Sequence, residues 1–588
     1  MVACAAGTAE ARFGFLPVTG QQDPHAQQPD PAQALEPLPL PAVPRLSHIV
    51  SQVAVPLGSN ANEHQILPGT VTVSPDSSNV AYKLRYGTGL GFDGYIFGGS
   101  NPIGTKRTSG PTFTIDSKSV AAVMIDRGWR LRHGRTILQG YEPVTPPRFS
   151  PDGSRIVYMA RHENKRFMVE WDQPHTMADS LGWDDLVFTP DSLVMAYPAF
   201  DGMHWRMVIN GDPGPNWDSF TTPPLTAENG SRVLYIATKN GQYYVVDRHT
   251  PAAYDKHGNL AGGFRLIDRP PVISANGRAF VYWALGDDMV WRIYQNHVYV
   301  PGYDAQRPGK IVISEDGQTL AAVLKRDQHW HVVQNAQPSP PYTAIGKNSL
   351  KLSPDGERLT YAVKKQLGWA VVENGTEHPT YTAVAANSLR FSPDSQRLVY
   401  AALSQGRWSI IENPNDTLTT KAPSSSDSAS NHPRFNKIIT RSITFSPDSQ
   451  HLAYIGYNAD AYVVRNARVL GAYERALKLT FGPNSRHLVW LATHDNQSFL
   501  VANGSPSRIT FDQLVPGADI HFVNNLVCHT VVIRQPSPSF ARVELRLSVP
   551  EQVPLFQQYD TTHPDTSPPS PPQAEPEPVS PFVEVQTE

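Results

Sequence analysis

Cysteine is nearly absent from this chain of 588 residues, which contains only Cys4 and Cys528. Two cysteines near opposite ends do not form a disulfide framework, so we expect an apolar core to hold the fold. The sequence also lacks a run of about eighteen apolar residues, which excludes a transmembrane helix. A 3.6-residue apolar rhythm is missing as well, and this argues against helical repeats.

The chain has little excess charge of either sign. It contains 50 Lys and Arg residues and 53 Asp and Glu residues, which gives a net charge of −3, and the charges are interspersed along the sequence. Nucleic-acid binding would require a basic patch or stripe, so no nucleic-acid partner is predicted.

Sequence motifs for catalysis are also scarce. No Gly-x-Ser-x-Gly elbow occurs, which disfavours a serine peptidase. His329 and His331 flank Trp330 on one predicted strand, but two ligands are fewer than a metal site needs. The sequence therefore predicts no catalytic residue, no cofactor and no metal.

What the chain does contain is a repeated turn. Clear copies of Ser/Thr-Pro-Asp-Ser/Gly begin at Ser74, Ser150, Thr189, Ser353, Ser392 and Ser446, and weaker copies surround Asp116, Asn229, Asn276, Asp316 and Asn484. The copies recur about every forty residues between stretches of strand-like sequence, a period typical of propeller blades with four short strands. Pro presets the second turn position and Asp tolerates the third, so each copy predicts a type I turn.

Ten of the eleven units also carry a large ring thirteen to fifteen residues after the turn Asp or Asn, at Trp129, Phe167, Trp205, Tyr243, Trp291, Trp330, Trp369, Trp408, Tyr462 and Phe499. Equivalent rings at ten places predict core packing between adjacent sheets, worth about 2 to 3 kcal/mol each. An Asn follows, as in Asn374-Gly375, and this predicts the next hairpin.

About eleven units and a degenerate twelfth around Asn524 and Asn525 span the chain. Because propellers usually close with four to eight blades, we expect two propellers of six, at residues 49–300 and 301–550. Seven plus five, or seven plus four, are alternatives. Residues 1–48 and 551–588 are rich in Pro with Gln, Ala, Ser or Glu, which predicts disorder.

The segments Leu352–Tyr361 and Phe391–Tyr400 resemble the WD-repeat-like propeller repeat of the bacterial TolB-type family. This resemblance implies a six-bladed propeller, a periplasmic or envelope-associated location and a role in protein interaction. The chain departs from the best-known member by lacking its N-terminal α/β domain and by having about twice the blades. No particular partner is therefore implied.

The start of the chain bears on localisation. Met1 to Gly7 resembles the end of a bacterial lipoprotein signal, in which small residues precede a lipidated cysteine. With a true start upstream of Met1, this resemblance implies a lipid anchor at Cys4 and a periplasmic or envelope-associated protein. The alternative is an Ala-rich start with an incidental cysteine, in which case the protein could be cytoplasmic.

The leading functional hypothesis is a non-enzymatic scaffold that binds a protein partner, since loops on a rigid propeller are typical recognition sites. A second hypothesis is a sensor for a small ligand or glycan that uses the central channel. Lys351 and Arg390 precede their turns in the same register, as does Arg148, and they are candidate ligand or partner contacts. The alternative is that their stems pack between blades while their charged groups reach water. A metal-dependent propeller lyase is a third hypothesis.

Overall fold

The computed structural model describes residues 49–59, 64–67, 70–86, 93–97, 103–105, 109, 111–125, 128–133, 136–175, 177–248, 250–251, 263–412, 432–534 and 539–548. Over these residues the protein is all-β and has the repeated antiparallel sheets of a β-propeller, which confirms the predicted fold class. None of the helices in these ranges is long and apolar enough to span a bilayer.

Twelve antiparallel sheets are formed by the described residues. A strand that precedes them all in the chain, β1 (Ile49–Ser59), belongs to the twelfth sheet. The first sheet contains β2 (His64–Ile66), β3 (Thr72–Val73), β4 (Val80–Tyr86), β5 (Asp93–Phe97) and β6 (Ile103–Thr105). The second contains β7 (Thr112–Phe113), β8 (Val120–Ile125), β9 (Trp129–His133) and β10 (Thr136–Gln139). The third contains β11 (Arg148–Phe149), β12 (Ile156–His162), β13 (Lys165–Glu170) and β14 (Gln173–Pro174).

The fourth to sixth sheets follow in chain order. The fourth contains β15 (Ser180–Leu181), β16 (Val187–Phe188), β17 (Met195–Phe200), β18 (Trp205–Ile209) and β19 (Asp212–Pro213). The fifth contains β20 (Ser219–Phe220), β21 (Leu225–Thr226), β22 (Val233–Lys239), β23 (Gln242–Asp247) and β24 (Thr250–Pro251). The sixth contains β25 (Leu266–Ile267), β26 (Val272–Ile273), β27 (Phe280–Leu285), β28 (Trp291–Gln295) and β29 (Val298–Ala305).

The seventh to ninth sheets continue the series. The seventh contains β30 (Arg307–Ile313), β31 (Leu320–Arg326), β32 (His329–Gln334) and β33 (Gln337–Pro338). The eighth contains β34 (Lys351–Leu352), β35 (Leu359–Lys365), β36 (Gly368–Glu373) and β37 (Thr376–Glu377). The ninth contains β38 (Ala383–Val384), β39 (Arg390–Phe391), β40 (Leu398–Ser404) and β41 (Arg407–Glu412), with a 3-10 turn at Ala386–Ser388.

The last three sheets complete the fold. The tenth contains β42 (Lys437–Ile438), β43 (Thr444–Phe445), β44 (Leu452–Tyr457), β45 (Ala461–Arg465) and β46 (Arg468–Tyr473), with a 3-10 turn at Thr440–Ser442. The eleventh contains β47 (Arg475–Phe481), β48 (Leu488–His494), β49 (Gln497–Ala502) and β50 (Ser505–Phe511). The twelfth contains β51 (Gln513–Leu514), β52 (His521–Phe522), β53 (Val527–Arg534), β54 (Ser539–Leu547) and β1, which pairs antiparallel with β54.

The predicted turns are confirmed in all eleven units. In each, the amide of the fourth residue donates to the carbonyl of the first, as Gly356 N does to Ser353 O at 2.9 Å. The fourth residue has a positive φ, which is 74° at Gly356 and 63° at Ser395. Gly adopts this conformation without strain, whereas Ser395 has a hydroxyl that accepts the Asp355 amide of the preceding sheet. The degenerate twelfth unit is also where the sequence places it: Asn524 Oδ1 accepts the amides of Leu526 and Val527 in the loop before β53.

The side chains of the turn aspartates accept hydrogen bonds that stabilise the turns. The Ser353 hydroxyl donates to Asp355 Oδ1 at 2.5 Å, and the Glu357 amide donates to the same oxygen at 3.0 Å. The bond from Ser353 lowers the pKa of Asp355, followed by the bond from the Glu357 amide. These carboxylates are therefore ionised structural acceptors, as the sequence predicts.

Neighbouring sheets meet at these turns. Asp355 N donates to the Ser395 hydroxyl of the next sheet at 3.1 Å, and Asp394 N donates to Ser449 in the same way at 3.0 Å. The first-strand edges of the sheets therefore approach one another, and we call this edge the inner edge. In each unit we call the strand before the turn the first strand and the strand after it the second, and the next hairpin leads to the third. Second strands are covered on both faces: in the sixth sheet this strand is β27, and all six of its residues are buried.

The repeated rings pack at the sheet boundaries, as predicted. Phe167 is 1 % exposed, whereas most of the other rings are half-buried and pack against the hydrophobic clusters. Trp330 bridges to Tyr342 through mutual backbone hydrogen bonds of 2.9 Å, and Trp369 and Tyr381 form the equivalent bridge. Each bridge joins a third strand to the segment that leads into the next sheet.

The sixth and seventh sheets are joined in the same manner as their neighbours. Trp283 and Tyr303 share a cluster with Ile311 and Leu324, and Tyr303 donates its hydroxyl to Leu320 O at 3.0 Å. The first and twelfth sheets also touch, since the rings of Tyr82 and Phe540 lie 5.1 Å apart. These contacts do not mark the expected boundary near residue 300, and the division into propellers at 49–300 and 301–550 stays a prediction.

A four-residue network also links certain adjacent sheets. In the eighth sheet Arg358 Nε donates to Glu373 at 2.6 Å, and Glu373 lies 3.2 Å from His378 Nε2. His378 Nδ1 shares a hydrogen bond of 3.3 Å with the Tyr400 hydroxyl of the ninth sheet. We call this an Arg–Glu–His–Tyr joint. Among the described residues two further joints occur, which contain Arg155, Glu170, His175 and Tyr197, and Arg397, Glu412, His432 and Tyr454.

Candidate functional site

Two of the three predicted contact residues lie together. Lys351 begins β34 and Arg390 begins β39, on the inner edges of the eighth and ninth sheets. Both line a cavity of about 410 Å³ with Lys310 of the seventh sheet. We call Lys310, Lys351 and Arg390 the inner cation cluster.

Register explains why Lys351 and Arg390 face the same space. Lys351 pairs with Thr360 and Arg390 pairs with Val399, and each pair precedes the pair that closes the turn. Equivalent positions in adjacent antiparallel sheets present their side chains to the same face. The sequence repeat therefore predicts this juxtaposition.

Lys310 reaches the cluster through a departure from the repeat. The pairing of β30 with β31 shifts between Pro308 and Ile311, which forms a β-bulge at Gly309 and Lys310. Gly309 fits there because a Cβ would lie 2.5 Å from the carbonyl oxygen of Val323. Bulges re-aim side chains, and Lys310 Nζ donates to Leu350 O of the eighth sheet at 2.9 Å. Sequence reasoning missed Lys310 because it lies two residues before the register of the other cations.

The cluster has carbonyl partners but no carboxylate partner. Arg390 Nη1 donates to the carbonyls of Asn387 and Leu389 at 3.0 Å. Over the part of the chain that the structure describes, no ion pair involves Lys310, Lys351 or Arg390. Glu315 also lines the cavity but is exposed.

The three charges affect one another. Burial lowers the pKa of Lys310 to about 8, and the nearby Lys351 and Arg390 charges add to this effect. Burial also lowers the pKa of Lys351, followed by the charge of Arg390. A cation with such a pKa is one that an anion would stabilise.

Arg148, the third predicted contact, lies elsewhere. It belongs to β11 of the third sheet, where Nη1 donates to Trp183 O at 3.0 Å and the guanidinium lies 4.5 Å from the Trp183 ring centre. Asp184 is 3.9 Å from Nη2. Arg148 therefore has local partners and is separate from the inner cation cluster.

The remaining sequence candidates are Cys4 and the pair His329 and His331. Cys4 lies outside the described residues, as do residues 1–48 and 551–588. His329 Nδ1 and His331 Nδ1 lie 2.9 and 3.0 Å from the backbone carbonyls of Asp327 and Ser339. Among the described residues no group of three or more metal-ligating side chains occurs. Cys528 is buried, and burial raises the pKa of its thiol to about 12.

A second surface is formed by the hairpins that join the second strand of each unit to the third, such as β35 to β36 in the eighth sheet. Three of these hairpins carry a strongly exposed apolar side chain: Met203 in the fourth sheet is 81 % exposed, Met289 in the sixth 61 % and Leu367 in the eighth 93 %. The seventh sheet has Asp327 and Gln328 at the same place, and the ninth has Gln405 and Gly406. The hairpin tips therefore vary from sheet to sheet, although the turns at the opposite ends of the strands repeat in all eleven units.

The chain is similar to known proteins at the level of solved structures. No protein-family model matches the sequence, and no curated protein matches it. Solved structures that are similar include a eukaryotic initiation factor (13% identity, 60% of this chain and 92% of that chain, TM-score 0.29) and the Dos1 propeller (10% identity, 54% and 90%, TM-score 0.27). TolB from Acinetobacter baumannii is also similar, at 12% identity over 46% of this chain and 79% of that chain, with a TM-score of 0.19. At these values the likeness carries no functional argument, and the fold assignment rests on the sheets and turns described above.

Proposed function

We propose that the protein is a non-catalytic β-propeller scaffold that binds a protein partner through its second-to-third-strand hairpins. The observation that carries this proposal is the contrast between the turns, which repeat in all eleven units, and the hairpin tips, which vary. A rigid frame that presents variable loops is the usual arrangement of a recognition surface.

The apolar tips supply the contacts for such a partner. Leu367, Met203 and Met289 leave most of their apolar surface in water, and covering it on binding is favourable by about 25 cal/mol per Å². Methionine adapts its shape to a partner surface, which suits this role. The three side chains occupy alternate sheets, so a partner that covers all three spans at least five sheets.

The test is capture of a partner by the immobilised full-length chain. We expect a protein that is recovered in stoichiometric amount by the wild type and lost with the triple variant Met203→Ser, Met289→Ser and Leu367→Ser. The control is Leu193→Ser, since Leu193 is 71 % exposed but follows a turn at the opposite ends of the strands. Equal recovery by the triple variant would contradict the assigned face, and no specific recovery would contradict the scaffold role.

An envelope location with an anchor at Cys4 stays part of the proposal. It rests on the resemblance of Met1 to Gly7 to a lipoprotein signal. Labelling with a radioactive fatty acid tests it: we expect label in the wild type and none in Cys4→Ser. Label in neither chain would favour the cytoplasmic alternative.

A further inference from the structure

We propose that the inner cation cluster is a binding site for a small phosphate-bearing anion, held by Lys310, Lys351 and Arg390 in the cavity between the seventh, eighth and ninth sheets. This site is separate from the hairpin tips, so it does not depend on the proposed partner surface.

The first argument is charge. Basic side chains at the joints of these same sheets have carboxylate partners: Arg358 pairs with Glu373, and Arg397 with Glu412. Lys351 and Arg390 belong to the same two sheets, yet within the described residues they have none. Three half-buried positive charges that share one cavity repel one another, and an anion between them would remove that repulsion.

The second argument is hydrogen-bonding capacity. Lys310 uses one donor on Leu350 O, and Arg390 uses only Nη1 on backbone carbonyls. An ammonium group has three donors and a guanidinium group has five. Lys351 shares a side-chain hydrogen bond with Lys310. The remaining donors of both ammonium groups and the rest of the Arg390 guanidinium are therefore left for a ligand.

The third argument concerns the kind of anion. A cluster of up to three positive charges is matched better by a phosphate monoester, with a charge of about −1.5 to −2, than by a single carboxylate. Val312, Leu352 and Phe391 form part of the cavity wall, and an apolar wall strengthens electrostatic attraction. The cavity volume of about 410 Å³ lies in the range of small-molecule sites. The exposed Glu315 at its edge repels anions, but water screens that charge.

Isothermal titration calorimetry with inorganic pyrophosphate tests the site in the full-length chain. We expect Lys351→Met and Arg390→Gln each to weaken binding by about tenfold or more, since each removes a charged contact. Arg148→Gln is the matched control, because Arg148 precedes its turn in the same register but is held by Trp183 and Asp184. Its affinity for pyrophosphate should stay within about twofold of the wild type.

Three outcomes would overturn the proposal. They are no binding of pyrophosphate by the wild type up to 10 mM, equal loss of affinity in Arg148→Gln, or equally tight binding of citrate, a polycarboxylate of similar size. Arg390→Lys distinguishes loss of the charge from misfolding, because it keeps the positive charge but lacks the planar set of guanidinium donors. This variant should bind pyrophosphate more tightly than Arg390→Gln. A match between these two variants would also count against the proposal.

Discussion

In the eighth sheet, Lys351 and Arg358 stand on either side of one turn and have opposite surroundings. Arg358 is paired with Glu373, stacks 5.0 Å from the Phe391 ring and donates to Ser395 O. Lys351 lies half-buried beside two other cations. The ninth sheet repeats the contrast between Arg397 and Arg390. In these two sheets the cation after the turn has a carboxylate partner and the cation before it has none among the described residues. Position before the turn is not sufficient for this difference, since Arg148 has the same register and lies against Trp183 and Asp184.

The largest expected effect is a difference in the free energy of unfolding between the variants Arg358→Met and Lys351→Met. Arg358→Met leaves Glu373, whose side chain is 12 % exposed, without its main partner, and we expect a loss of about 3 kcal/mol in the free energy of unfolding. Lys351→Met removes a repelled charge and should cost nothing, or gain up to about 0.5 kcal/mol. Urea unfolding of both variants at one pH and salt concentration measures this. Equal destabilisation by the two substitutions would remove the distinction.

The second prediction concerns the pair of Arg397 with Glu412 and its contribution to stability at acid pH. Although burial raises the pKa of Glu412, bonds from His432 and Arg397 outweigh it and hold the pKa at about 2, below its ordinary value of 4.5. The unfolded state then binds more protons as the pH falls, so the stability from Glu412 is present above pH 4.5 and lost towards pH 2. Since the side chain keeps 27 % exposure, screening reduces the loss to about 1 kcal/mol.

Urea midpoints between pH 5 and 2.5 provide the measurement for Glu412. Glu412→Gln should be less stable at pH 7 but should show a flatter acid profile than the wild type. Glu357→Gln alters an exposed residue and is the control. An unchanged slope in Glu412→Gln would show that the joint does not contribute to acid stability.

The smallest expected effect concerns Lys310 of the inner cation cluster and the stability of the protein at alkaline pH. The Lys310 pKa is about 8 in the folded chain and has an ordinary value of 10.5. Between these values the unfolded state binds more protons, so stability should rise with pH from about 8 to 10.5, by about 0.5 kcal/mol after screening. Lys351, Arg390 and Glu315 face the same cavity. Lys310→Met should flatten the rise, and so should saturating pyrophosphate; a rise that persists in the variant would have another source.

The sequence predicts the parts of this fold that are set by short-range chemistry. The Ser/Thr-Pro-Asp turns and the rings at a constant spacing recur within single units, and the turns and ring packing that they predict are confirmed. The positive φ of the fourth turn residue is seen only in the structure. Lys351 and Arg390 could be placed together because they share a register. The bulge at Gly309 and Lys310 could not be predicted, since it depends on how β30 pairs with β31 and not on a local residue signal.

The joints left a weaker signal in the sequence. Glu170 precedes His175 by five residues and Glu373 precedes His378 by the same interval, but in the ninth sheet Glu412 and His432 are separated by residues 413–431. The tyrosine that completes each joint comes from the next sheet, about 22 residues after the histidine. A spacing that is interrupted in one of three copies is not recognised without the structure.

The pairing of β1 with β54 imposes an order on biosynthesis. One edge of the twelfth sheet is translated first and its partner strands last, with nearly 500 residues between them. Throughout that interval the edge of β1 that will pair with β54 has no partner within its own sheet, and an unpaired strand edge is a template for aggregation. The twelfth sheet can therefore be completed only after β54 has been translated.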